Sequence, residues 1–176
     1  MRSGAGKLLF MSRSPITDAD REEVAGFVER HWHSRLVVNR GQRYYPHQEP
    51  GFLARRDGQL VGLLTYHIHG DGAMELLTLN STLEGAGIGF ALMLDAIHKA
   101  RQLGCPRMLL ATTNDNLHAI GFYQRLGFHM TEIRRGAVDE ARKIKPQIPM
   151  TGERSVPMHD EVIMELELKP FLDKES

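Results

Sequence analysis

The sequence predicts a mixed α/β (α+β) domain built on one sheet, antiparallel at its N-terminal side and carrying a single parallel crossover in its middle. Three observations predict it. Between Gly51 and Asn80, three strand-like runs are separated by the turn residues Asp57-Gly58 and Gly70-Asp71-Gly72. The apolar spacing then changes to the helical period at Ile88, Leu92, Leu94, Ala96, Ile97 and Ala100. A short apolar run of strand length, Met108 to Thr113, follows that helix. A strand, a helix and a second strand form the unit that joins parallel strands.

Each element has its own signal. Thr17 with Asp20 three residues later is a capping-box-like start. Val24, Phe27, Val28 and Trp32 recur at helical spacing behind it, so a helix is expected to about His33. Phe52 to Arg56 and Leu60 to His69 make a hairpin, and Ala73 to Asn80 a third strand. The crossover helix stops at Gly104, and Pro106 cannot extend it. Asn116 caps a brief helix holding Ala119, Ile120, Phe122, Tyr123 and Leu126, closed by Gly127. Phe128 to Arg134 reads as a strand, and Val162 to Leu168 as the last one. Between them, Gly136 to Met158 is rich in charge and proline, with one or two helical turns expected near Val138 to Lys143. No internal repeat interrupts this order.

Composition bounds the function. The chain has 176 residues, 41% of them apolar, enough for one domain with a real core. Twenty-two basic and 22 acidic residues cancel, and the isoelectric point near 7.1 argues against nucleic acid as a partner. No apolar run approaches the roughly 18 residues a membrane helix needs, so no membrane partner is expected. Cys105 is the only cysteine, which excludes an intrachain disulfide and a Cys-based zinc knuckle. Residues 1–14 are expected to be a mobile leader before a single domain over 15–172, with the cytoplasm as the default location.

The chemistry concentrates in a glycine-rich strand-to-helix turn. The first N–H groups of a helix lack internal partners and attract anions, and Gly85, Gly87 and Gly89 let the backbone approach one closely. Phe90 stands where a dinucleotide fingerprint needs glycine, and a Walker lysine is absent. About 30 residues on, Asn116 ends a second strand and Tyr123 lies in the next short helix. Together these residues resemble the GNAT N-acetyltransferase superfamily. Asn116-Leu-His-Ala119-Ile-Gly-Phe-Tyr123-Gln-Arg-Leu-Gly127-Phe128 is similar to its Asn-x-x-Ala-x-x-x-Tyr-x-x-x-Gly-Phe motif. Glu84-Gly85-Ala86-Gly87-Ile88-Gly89 is similar to its Gln/Arg-x-x-Gly-x-Gly/Ala loop, with Glu84 departing from the usual Gln or Arg.

The resemblance implies antiparallel N-terminal strands, a central parallel pair that splays apart, and antiparallel C-terminal strands. It implies acetyl-CoA as co-substrate and no metal. Backbone groups of Leu77, Thr78 and Leu79 would pair with the pantetheine arm. Glu84, Gly85, Ala86, Gly87, Ile88, Gly89 and Phe90 would form the pyrophosphate loop, with the Glu84 side chain turned to solvent, and Asn116 would complete the site. Tyr123 would protonate the leaving thiolate. Glu75, at a position often acidic in the family, would serve as general base or stand as a plain strand-end carboxylate. The expected reaction is direct acetyl transfer to a primary amine of a small molecule or peptide, with a homodimer left open. Two rivals stand beside it: an acyl-CoA sensor without catalysis, and a metal enzyme built on His67 and His69, which otherwise are a polar strand face near the acceptor. Residues 136–158 are either an acceptor-recognising lid or a solvated insertion. Asp160 and Glu161 are candidates to hold a cationic acceptor.

Overall fold

The structure, a computed structural model, describes residues 11–169. Its strands are β1 (Met11–Pro15), β2 (Val37–Asn39), β3 (Gln42–Tyr44), β4 (Gly51–Arg56), β5 (Gln59–Ile68), β6 (Met74–Ser81), β7 (Arg107–Thr113), β8 (His129–Arg134) and β9 (Glu161–Glu167). Its helices are α1 (Arg21–Trp32), α2 (Ile88–Gln102), α3 (Leu117–Arg125) and α4 (Ala137–Ile144). Seven strands form one sheet in the order β1-β4-β5-β6-β7-β9-β8, and β2 with β3 makes a separate hairpin. Every neighbour pair in the large sheet is antiparallel except β6 with β7. The mixed sheet with one parallel pair is the one expected from the sequence.

Two apolar clusters hold helices to opposite faces. Leu92, Met93, Ala96 and Ala100 of α2 pack with Leu64, Met74, Leu76, Met108, Leu110 and Met164 of the sheet. Val24, Phe27 and Val28 of α1 pack with Leu53 and Leu63, which point the other way by strand alternation. Gly62 sets how near α2 lies: a Cβ there would stand 2.5 Å from the Ile88 Cγ2. The start of α2 is therefore seated directly on β5.

The parallel pair is short. Only Met74 with Met108, Glu75 with Leu109 and Leu76 with Leu110 are in register; beyond them β6 and β7 part. β7 instead stays paired with β9 all the way to Thr113. A bulge marks the parting, since Thr65 faces Thr78 and Tyr66 faces Leu76, leaving Leu77 as the extra residue on β6. This is the splay expected from the family resemblance.

Two segments differ from the sequence reading, and a third, 136–158, forms the helical turns expected of it. Residues 11–14, assigned to a leader, belong to β1, which pairs with β4 from Met11–Arg56 to Pro15–Phe52. A polar, exposed edge strand ending in proline carries no apolar alternation to reveal it. The rest of the expected leader, 1–10, lies outside the described residues, as do residues 170–172 of the expected domain. The β2–β3 hairpin was not anticipated: its strands are three residues long, and its turn at Arg40 and Gly41 takes φ of 52° and 75°. Within 136–158, α4 makes two full turns with Val138 and Ala141 buried, as is Lys145 just after it. Beyond the helix, residues 146–155 are mostly exposed.

Candidate active site

The splay, the glycine turn and a cavity meet at the C-terminal ends of β6 and β7. On the turn, Gly85 and Gly87 take φ of 70° and 71°, the left-handed region that costs glycine nothing. Gly87 is the N-cap of α2. A Cβ built at Gly85, Gly87 or Gly89 would meet nothing within 4 Å, so the amide groups of the first helical turn face open space. Ala91 N–H is already tied to the Gly87 carbonyl, leaving the earlier N–H groups free for an anion. The Glu84 side chain is exposed, and Phe90 is half exposed. Ile88 is buried against the sheet and anchors the turn.

On the other strand, Asn116 caps α3 by accepting from Ala119 N–H at 3.3 Å, which leaves its side-chain amide donors unspent. Tyr123 is half-buried between Phe122 and Phe128, with ring centroids 5.4 and 5.9 Å away. Burial pushes its hydroxyl up to about 12, so it is a neutral hydrogen-bond donor at any ordinary pH.

A cavity of about 320 Å³ opens on the α1 side of the splay. Leu77 of β6 and Ala111, Thr112 and Thr113 of β7 form its floor beside Asn116. The end of α1 (His31, Trp32, His33), β2 (Val37 to Asn39) and the α4 region (Val138, Ala141, Lys145, Gln147, Ile148, Pro149) form its walls, with Met158 and Glu161. Trp32 reaches across the end of β6, its indole N–H donating to Asn80 Oδ1 at 2.9 Å. Its far wall is pinned to the β7–α3 turn. Asn114 donates to the Pro157 carbonyl (2.8 Å) and accepts from His159 N–H (3.0 Å), and Asp115 accepts from Glu153 N–H (3.3 Å). Gly152 permits this approach, because a Cβ there would lie 1.7 Å from the Asp115 carboxylate.

Two glutamates are buried, one sealed away from the cavity and the other lining it. Glu75 is fully buried and does not line the cavity. Its Oε2 accepts from His69 Nε2 (2.6 Å), Arg40 Nη1 (3.3 Å) and the Tyr44 hydroxyl (3.3 Å), while Oε1 has no partner among the described residues. The Tyr44 hydroxyl is pushed up to about 12 by burial and by the Glu75 charge. Glu161 does line the cavity; it accepts from Arg134 Nη1 and from Arg40 N–H, both at 3.3 Å. Burial holds its carboxyl above the ordinary range, against the pull of Arg134. His67 and His69 share a face, as alternation requires, but are spent on Glu49 (3.1 Å) and Glu75, away from the cavity lining. Among the described residues, no three His, Cys, Asp or Glu side chains are placed to hold a metal. Nor is any helix among them long and apolar enough to cross a membrane.

The structure thus brings Leu77, Asn116 and Glu161 to one cavity and sets the glycine turn at the head of α2. It separates Glu75, His67 and His69 from that cavity. The sequence reading missed Lys145, Asn39 and Trp32 as wall residues, because no short-range spacing connects β2, α1 and α4.

Comparison with known proteins agrees with this geometry. The chain is 35% identical over 160 residues to the uncharacterized protein YxbD of Bacillus subtilis, a match covering 90% of this chain and 100% of that protein. Its fold is similar to an IAA acetyltransferase from Bacillus cereus (TM-score 0.66, 19% identity, 91% of this chain and 99% of that one). It is also similar to a Bacillus subtilis acetyltransferase crystallised in complex with CoA (TM-score 0.63, 19% identity, 92% and 99%). Residues 14–128 match the acetyltransferase (GNAT) family, in the stretch that holds the splayed pair, the glycine turn and the Asn116–Tyr123 helix, and the chain belongs to that family.

Proposed function

We propose that this protein transfers an acetyl group from acetyl-CoA directly to a primary amine. One observation carries the reading: the parallel pair parts immediately after Leu76 and Leu110, with an open helix N-terminus at one end of the gap and a cavity at its side. On the side that faces β7, the backbone of Leu77, Thr78 and Leu79 is then open to the amide-rich pantetheine arm. The N–H groups of Gly85 to Phe90 receive the pyrophosphate, which lessens the consequence of Glu84, exposed and turned away. The CoA complex of a neighbour with the same fold supports this placement.

The amine, bound in the cavity, attacks the thioester carbonyl carbon; the C–N bond forms, the C–S bond breaks, and CoA leaves as its thiolate. Tyr123 donates a hydrogen bond to that sulfur. The ammonium proton goes to a carboxylate, and Glu161 is the one that faces the cavity with its basicity raised. Glu75 then acts behind it, holding the Arg40 side chain while Arg40 N–H bonds Glu161. Incubation with acetyl-CoA and a panel of primary amines, following release of free thiol, tests the reading. Amine-dependent thiol release is the expected result. Tight CoA binding with no turnover across the panel would favour the sensor instead, and chelator-sensitive activity would favour a metal enzyme.

A further inference from the structure

Resting on the acetyl-transfer reading, we infer that the acceptor is a small apolar amine that also carries a carboxylate, such as a free α-amino acid, and that Lys145 recognises that carboxylate. Lys145 lines the cavity and is only 6% exposed. Its Nζ donates one hydrogen bond, to the Leu36 carbonyl at 3.0 Å, and among the described residues it pairs with no carboxylate. An ammonium has three N–H groups, so two are unspent. Burying a charge without a counter-charge is costly, and groups perturbed in this way cluster at functional sites. The neighbouring Lys143, by contrast, is exposed and already paired with Glu140 at 2.7 Å. Burial also lowers the Lys145 pKa, a penalty that an arriving carboxylate would relieve.

A second donor stands in the same wall. Asn39 Nδ2 is buried and has no hydrogen-bond partner among the described residues. The same lining also carries the apolar side chains of Val37, Leu77, Val138 and Ile148. One ammonium and one amide suit a monoanion; a phosphate dianion would leave charge uncompensated. A polyamine would meet Lys145 as a like charge. A peptide N-terminus presents an amide where the amino acid has its carboxylate, and so offers no counter-charge. A cavity of about 320 Å³ lies at the small end of ligand pockets, which also favours a single amino acid.

Trp32 is the chain's one tryptophan and lines the same cavity, so binding can be read from its fluorescence without any turnover. The full chain is titrated with L-valine, L-leucine and L-methionine, each against its own carboxamide, with and without saturating CoA. The expected result is that at least one acid binds about tenfold or more tighter than its amide, the ratio for a charge-assisted hydrogen bond. In Lys145→Met that ratio falls to about one, while Lys145→Arg keeps part of it. Lys145→Gln serves if the Met variant does not fold. Amides binding as well as acids throughout, no binding by any member, or a preference that survives in Lys145→Met overturns the inference. Failure to bind CoA would instead overturn the acetyl-transfer reading, because the acid-to-amide ratio is also read without CoA.

Discussion

A tyrosine with its hydroxyl pushed up to about 12 is a secure donor but a weak acid. A thiol such as that of CoA has a pKa near 8.5, so complete proton transfer from Tyr123 to the thiolate is uphill by roughly 3.5 units. Tyr123 therefore stabilises the departing sulfur by a hydrogen bond, and the proton released from the ammonium completes the balance. Tyr123→Phe keeps the packing against Phe122 and Phe128 and deletes only that donor. The kcat is expected to fall by about 10- to 10²-fold, the effect of losing a hydrogen bond to a charged group, roughly 1.5–3 kcal/mol. CoA affinity should fall less than about tenfold, since one hydrogen bond contributes roughly 0.5–1.5 kcal/mol, and the melting temperature should hardly move. With an acyl thioester of a more acidic thiol the defect should shrink. Full kcat in Tyr123→Phe would reduce the tyrosine to packing. Tyr123, Asn116 and the three glycines were legible in the sequence because each sits in a short motif at fixed spacing. Glu75 was legible as an acid on the right strand, yet strand position alone could not show that three donors, from β3, the β5–β6 turn and the β2–β3 turn, would seal its Oε2.

At the scale of elements, the head of α2 is where ligand and fold are most separable. Gly87 needs its positive φ, so a β-branched residue there strains the backbone whatever it does to CoA. Gly89 does not: it lies in the first helical turn with open space around a Cβ, and glycine is a poor helix former by about 1 kcal/mol. Gly89→Val should keep or raise the melting temperature while weakening CoA binding at least about tenfold, because bulk then stands where the pyrophosphate approaches. Unchanged CoA affinity in the folded variant would remove the pyrophosphate-loop assignment. The far wall offers a second test. Asp115→Ala frees Glu153 N–H and the Thr113 hydroxyl, a loss of about 1–3 kcal/mol locally. Trypsin should then cut after the exposed Arg154 on the order of ten times faster, and the acceptor KM should rise while CoA affinity holds. An unaltered cleavage rate would show that the wall is held by its other bonds, those of Asn114 and those from Arg142 to the Ile148, Pro149 and Met158 carbonyls. The long elements were readable because periodicity accumulates over ten or more residues. β1, β2 and β3 were not, since three to five residues of mixed polarity carry too few repeats, and they owe their strand form to pairing partners elsewhere.

For the molecule as a whole, the sheet divides two tasks between its faces: α2 closes the larger core, while α1, the β2–β3 hairpin and α4 wall the cavity. That second layer includes charge the core would not tolerate, and its stability should therefore depend on pH in a specific way. Glu161, with its carboxyl raised by burial, favours the native state at low pH and loses that contribution as pH rises through its folded value, above 4.5. Lys145 has the opposite sign and a separate, alkaline window. Its folded pKa is lowered from 10.5, so between that lowered value and 10.5 the unfolded chain binds more protons than the native one. Stability must rise with pH across that window. Below it both states are charged, and the native state bears the full cost of an uncompensated ammonium. Lys145→Met removes the charge at similar volume, and should be more stable than the natural protein near neutral pH by on the order of 1–4 kcal/mol. The gap should close as pH approaches 10.5, where the native lysine has become neutral. Urea unfolding of both proteins at several pH values between about 7 and 10 measures it. A gap that stays constant with pH would mean that Lys145 carries no burial penalty, and a natural protein more stable at every pH would mean that its role is structural, fixed by the bond to the Leu36 carbonyl.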